Sequence, residues 1–234
     1  MGQGCGPVSE RVVDLIAEVD RARWSVTDGG PARARRILAL AAQPEVLEGL
    51  LERIPANPKL VTRCQRKPYQ DKLVLSVDAD AGPVMILHHF RQGHADRAAW
   101  IHNHRADFAA RIVTGGYAHT LYSVSERPGD GGDQPFEVSE LYARDERAGD
   151  TYVLSQDAFH TVRAEGDTVT LVVRATPHAI ADREPPLYVS DDGRRYFRRS
   201  RGEVQDNATR PMHRAEVPNA VDEILAIVSR RARG

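Results

Sequence analysis

From Leu60 to Ala175 the chain breaks into short runs rich in Val, Ile, Leu, Thr and Tyr, each closed by Gly, Asp, Asn or Pro. The runs are KLVLSV, PVMILHHF, AAWIHNH, ARIVTGGYAHTLYSV, SELYARD, DTYVLS and DTVTLVVRA. Branched and aromatic side chains fit a pleated surface, and turn residues at this spacing leave no room for long helices. Strands so arranged predict an antiparallel β-sandwich or barrel, so the fold class is mainly β.

Outside that region the apolar spacing becomes helical. SERVVDLIAEVDRARW places Ser9 as a candidate N-cap ahead of Val12, Leu15, Ile16 and Val19. PARARRILALAA opens on Pro31, which suits a first helical turn. PEVLEGLLERI runs from Pro44 to just before Pro55, with Val46, Leu47, Leu50, Leu51 and Ile54 on one stripe. Downstream, LYVSDDGRRYFRRS predicts a hairpin with an Asp-Gly turn. NAVDEILAIVSRRARG predicts a last helix with Val221, Ile224, Leu225 and Val228 on one face, its arginines suiting the negative end of the helix dipole. The expected division is a helical segment over 1–58, a β-barrel over 59–185, and a hairpin-plus-helix extension over 186–234. The basic run from Arg194 to Arg201 reads as the solvated face of that hairpin.

Lys and Arg number 32 against 33 Asp and Glu, for a net charge of -1. A nucleic-acid partner is therefore not expected, since such binders carry a basic excess. No apolar stretch approaches the roughly 18 residues of a membrane span, and the N-terminus lacks the pattern of a signal peptide. Two cysteines, Cys5 and Cys64, make no disulfide framework. A cytoplasmic protein with no membrane partner is the expectation.

The chemistry concentrates in WIHNHRADFAARIVTGG, residues 100–116. Side chains alternate along a strand, so His102 and His104 face one side and Asn103 the other. Two imidazoles on one face can chelate a metal ion. GDTYVLSQDAFH then brings a third, His160, after a strand and a turn.

These stretches resemble the cupin superfamily over roughly residues 60–180. The family's first motif is His-x-His, three or four residues, Glu, six residues, Gly; HNHRADFAARIVTG supplies His102, His104 and Gly115. In the second motif Gly149 and His160 hold their places, while Ser155, Asp157 and Ala164 replace the usual Pro, Gly and Asn. The resemblance implies a jelly-roll β-barrel holding a metal on His102, His104 and His160. Phe108 occupies the family's glutamate position and cannot ligate. Asp107 beside it is a rival fourth ligand, or otherwise a turn residue or a partner of the ligands from behind.

A three-histidine cupin without the glutamate is similar to the cysteine dioxygenase branch, the thiol dioxygenases, whose N-terminal helices this chain also shares. That likeness implies iron(II), O₂ and a small anionic substrate such as an amino acid or thiol, and cupins often form homodimers. Histidine ligands suit Zn, Ni and Cu as well as Fe, and Mn stays in the set. In that branch a basic residue on an early strand binds the substrate carboxylate, and Lys72 falls near it, with a looser grip than arginine. Val172 and Arg174 stand where the branch has a His and a Tyr. Arg174 is therefore a candidate for an anionic substrate, Tyr117 and Trp100 for pocket walls, and Phe108 and Asp107 for the surroundings of the ligands. Tyr122 and Tyr152 read as packing, and one of His88 and His89 must face inward. Two further readings stay open: a Zn-, Ni- or Mn-dependent isomerase, lyase or hydrolase, and a non-catalytic ligand-binding cupin.

Overall fold

The computed structural model describes residues 7–21, 29–78, 82–91, 100–127, 135–175, 185–198 and 209–231. Cys5, Arg199 and Arg201 lie outside them. Four helices come first: α1 (Pro7–Arg21), α2 (Gly30–Ala41), α3 (Pro44–Ala56) and the short α4 (Pro58–Val61). The strands are β1 (Gln65–Arg66), β2 (Gln70–Asp78), β3 (Gly82–Phe90), β4 (Ile101–His102), β5 (Phe108–Thr114), β6 (Gly116–Glu126) and β7 (Phe136–Arg147). Then come β8 (Thr151–Leu154), β9 (Phe159–Ala164), β10 (Thr168–Arg174), β11 (Leu187–Val189), β12 (Tyr196–Arg198) and β13 (Arg210–Pro211), and α5 (Glu216–Arg231) ends the order.

The strands form two antiparallel sheets, ordered β13-β1-β2-β3-β10-β5-β8 and β12-β11-β4-β9-β6-β7. Within them, β3 to β10 divide between the sheets in the order β3-β10-β5-β8 against β4-β9-β6-β7. That is the double Greek key of a jelly roll. The barrel interior is lined by Ile86, Phe108, Ala110, Ile112, Tyr117, Tyr152, Leu154, Ala164 and Val172.

A second core lies on the outer face of the larger sheet, where α1, α2, α3 and α5 cover it. This explains the continuous burial of β10 from Thr168 to Val173. Val169, Leu171 and Val173 face the helices while Val172 faces the barrel, so the strand is buried on both sides. The stripe Val46, Leu47, Leu50, Leu51 and Ile54 of α3 is buried as its spacing requires. Helix limits differ in detail. α1 opens at Pro7, so Ser9 lies inside its first turn and does not cap it. α3 continues through Pro55 to Ala56, because the proline falls in the last turn and breaks little of the ladder.

The segment after residue 185 joins both sheets. β11 pairs with β4 and with β12, setting Tyr188 opposite His102. β13 pairs with β1. Glu216 at the start of α5 binds Arg210 at 2.6 Å and Arg66 at 3.2 Å, tying the helix to that edge. Among the described residues no helix is long and apolar enough to cross a membrane.

Candidate metal centre

His102 ends β4, His104 lies two residues beyond it, and His160 sits in β9 directly opposite His102. One ring nitrogen from each lies within 4.8 Å of the other two. The Nε2 atoms of His104 and His160 are 2.8 Å apart. Two nitrogens that close need a proton on one of them or a cation between them. Burial, the largest influence, pushes both rings well below the ordinary histidine value, and His102 and its neighbours act in the same direction. The rings are therefore neutral near pH 7, which is the form that ligates.

The local chain fixes each ring. β4 stops at His102, so the expected strand alternation does not run on to His104; the chain turns there and still brings both rings together. Asn103 faces away, and its Oδ1 accepts from the Leu187 N–H at 2.7 Å. His102 Nδ1 donates to the Trp100 carbonyl at 2.8 Å, which leaves Nε2 for the centre. The Asp107 carboxylate accepts from the Gln156 N–H at 2.8 Å, and the His104 N–H donates to the Gln156 carbonyl at 2.9 Å. Asp107 thus braces the turn that leads into His160, and it is not a member of the three-histidine cluster. Donors of this kind, three imidazoles with no carboxylate among them, fit a divalent transition metal such as Fe, Zn, Ni or Cu.

One side of the cluster faces the barrel interior. Phe108 packs edge-on to His104 at 4.5 Å and lies 6.0 Å from His160, so a ring fills the place beside the ligands. Arg174 is the β10 partner of Phe108. Its charge depresses His104 and His88, and burial in turn pulls its own pKa down. Among the described residues no hydrogen bond or ion pair engages the Arg174 guanidinium. Lys72 lies further along, in the row Lys72–His88–Thr170–Ile112, four residues down β10 from Arg174. Of the adjacent pair, His88 is the inward one, sharing a strand face with Ile86 of the barrel lining; Leu87, between them, packs toward the helices. Tyr117 is buried and donates to the Tyr152 hydroxyl at 2.6 Å, and burial holds both phenols protonated. Its position is a wall of the barrel interior. Trp100 packs edge-on to Phe197 at 5.1 Å, with Arg195 over its ring.

Three site residues escaped the sequence reading. Tyr188 stacks on His102 at 5.1 Å, nearly parallel, and Phe197 stacks on its other face at 4.7 Å. The only sequence signal is that the Asp-Gly hairpin carries three aromatic residues, Tyr188, Tyr196 and Phe197. His119 and Glu146 stand behind His160: His119 Nε2 is 3.0 Å from His160 Nδ1, and His119 Nδ1 is 3.1 Å from a Glu146 carboxylate oxygen. Both are buried. A histidine two residues after Tyr117 on the same strand face is their faint signal.

No protein-family model matches the chain, and no curated protein does. Solved structures with similar folds include KdgF from Halomonas sp., at 17% identity over 48% of this chain and 84% of that one, TM-score 0.33. An RmlC-like cupin from Shewanella frigidimarina matches at 13% identity over 50% and 86%, TM-score 0.35. Salicylate 1,2-dioxygenase from Pseudoaminobacter salicylatoxidans, solved as an adduct with gentisate, matches at 15% identity over 46% and 25%, TM-score 0.30. The jelly-roll assignment rests on the strand order itself.

Proposed function

We propose that this chain is a cupin-type non-haem iron(II) oxygenase that uses O₂ on a small anionic molecule such as an amino acid or a thiol. The observation that carries the reading is the half-buried Arg174 guanidinium, without a hydrogen-bond or ion-pair partner among the described residues, on the strand face that looks into the same interior as three converging imidazoles. His102, His104 and His160 would hold the metal. When bound, a ferrous ion with no protein carboxylate beside it supplies redox chemistry with O₂ and keeps a double positive charge.

That charge and Arg174 favour an anionic donor on the substrate, a thiolate, enolate or carboxylate. The substrate's second anionic group, where it has one, pairs with the Arg174 fork and sets its orientation. Phe108, Val172 and Ile86 exclude water from that contact.

The test is O₂ uptake by the iron-loaded protein against a panel of small carboxylates and thiols. Uptake is expected for at least one anionic compound. Arg174→Met should lower kcat/KM about 10–100-fold, chiefly through KM, as expected for loss of a charged hydrogen bond. Turnover that persists without O₂ on a zinc- or nickel-loaded protein would replace this reading with a hydrolytic or isomerising cupin. Saturable binding with no turnover under either condition would make the chain a binding module.

A further inference from the structure

Behind the His160 ring runs a continuous line of polar contacts through His119 to Glu146. Leu121 stands opposite His160 across β6 and β9, and Tyr117 stands opposite Glu146 across β6 and β7. His119, two residues from each of Leu121 and Tyr117, is therefore the diagonal neighbour of both His160 and Glu146, within side-chain reach. The contacts follow: His160 Nδ1 to His119 Nε2 at 3.0 Å, then His119 Nδ1 to Glu146 Oε1 at 3.1 Å. Arg144 closes the far end, its Nε and a terminal nitrogen donating to the same Glu146 oxygen at 2.6 and 2.5 Å.

With each imidazole carrying a single ring hydrogen, the contacts along this line leave one arrangement. An ion-paired carboxylate only accepts, so His119 Nδ1 carries the hydrogen. Neutral His119 then has a bare Nε2, which accepts, so His160 Nδ1 carries the next hydrogen. Neutral His160 is left with a bare Nε2, the atom turned toward His104. Moving the hydrogen to that Nε2 would set two bare nitrogens, His160 Nδ1 and His119 Nε2, against each other.

We propose that Glu146 and His119 are positioning residues, which hold His160 in the tautomer whose Nε2 can take a metal ion. The proposal rests on the metal-site reading above. It assigns a role to two side chains that touch neither metal nor substrate, on strands that carry no ligand.

The experiment measures cobalt(II) affinity of the full chain by chelator competition, together with the imidazole ¹⁵N shifts of the metal-free protein. In the wild type the shifts should show His160 and His119 both protonated at Nδ1. His119→Leu should weaken cobalt(II) binding about 10–100-fold, the usual cost of losing such a partner. His119→Gln, whose amide oxygen can accept from His160 Nδ1–H, should recover most of that loss. Glu146→Ala should weaken binding by about tenfold. Cobalt(II) affinity within twofold of wild type in folded His119→Leu overturns the proposal. So does a metal-free wild type with the His160 proton on Nε2, a readout that holds even where the variants fail to fold. A wild-type chain with the expected tautomers that binds no cobalt(II) would instead overturn the metal-site reading.

Discussion

Gly115 sits between β5 and β6, where the chain leaves the larger sheet for the one that carries His119. Its φ is +76°, and a Cβ there would lie 2.4 Å from Thr168 Oγ1 and 2.8 Å from Thr168 Cα. The hydroxyl could swing aside, but Cα belongs to the backbone of β10 in the middle of the larger sheet. In Gly115→Ala the left-handed conformation alone costs about 1–2 kcal/mol. Displacing packed backbone adds about 1–3 kcal/mol. Thr168 Oγ1 also donates to the Gly116 carbonyl at 2.9 Å and accepts from the Gly116 N–H at 3.2 Å. Losing those two bonds adds about 1–2 kcal/mol, for a total of about 3–7 kcal/mol against a typical domain stability of about 5–15. Gly149 provides the control. Its φ is +98°, yet nothing lies within 4 Å of its added Cβ. Gly149→Ala should cost only the conformational part, about 1–2 kcal/mol. Urea midpoints followed by far-ultraviolet dichroism measure both. Equal losses in the two variants, or a Gly115→Ala loss under about 1 kcal/mol, would refute the steric reasoning.

Two further outcomes follow from the interior. Burial, with help from Lys72, Lys67 and Arg174, pushes His88 down to about 3. The unfolded chain titrates near pH 6.5, so between those values it binds a proton that the folded chain refuses, and stability falls as the pH drops through that window. At pH 5 the loss from this one group is about 2 kcal/mol, and His88→Leu should remove that part of the slope in urea midpoints taken at pH 7 and 5. An unchanged slope would show that His88 does not carry it. Tyr188→Ala removes two stacked contacts, on His102 and on Phe197. It should cost about 1–3 kcal/mol in thermal unfolding and speed metal loss to a chelator, and wild-type values for both would mean the stack is idle.

Much of this was legible in the residues because it depends on local pattern. Short runs rich in branched and aromatic residues, closed by turn residues, mark the strands, and the Leu171, Val172 and Val173 stretch of β10 suits a strand buried on both faces. His102, His104 and His160 could be paired because they stand at a recognisable spacing around Gly115 and Gly149. What stayed hidden depends on register between distant strands. His119 meets Glu146 and His160 only because β6 pairs with β7 on one side and β9 on the other, and the β6–β7 ladder shifts register at Leu121 and Tyr122. Tyr188 reaches His102 only because β11 extends the sheet beside β4, across 86 positions of sequence. Lys72 was placed by spacing back from VMIL, which cannot say how far it stands from Arg174 on β10, with β3 between the two strands.

The proposed chemistry requires that His102, His104 and His160 together hold one metal ion. Elemental analysis of the purified protein, beside His102→Ala, His104→Ala and His160→Ala, tests it most directly. Near-stoichiometric iron in the wild type, lost in each folded variant, is the predicted result. Metal content unchanged in His104→Ala or His160→Ala would contradict it.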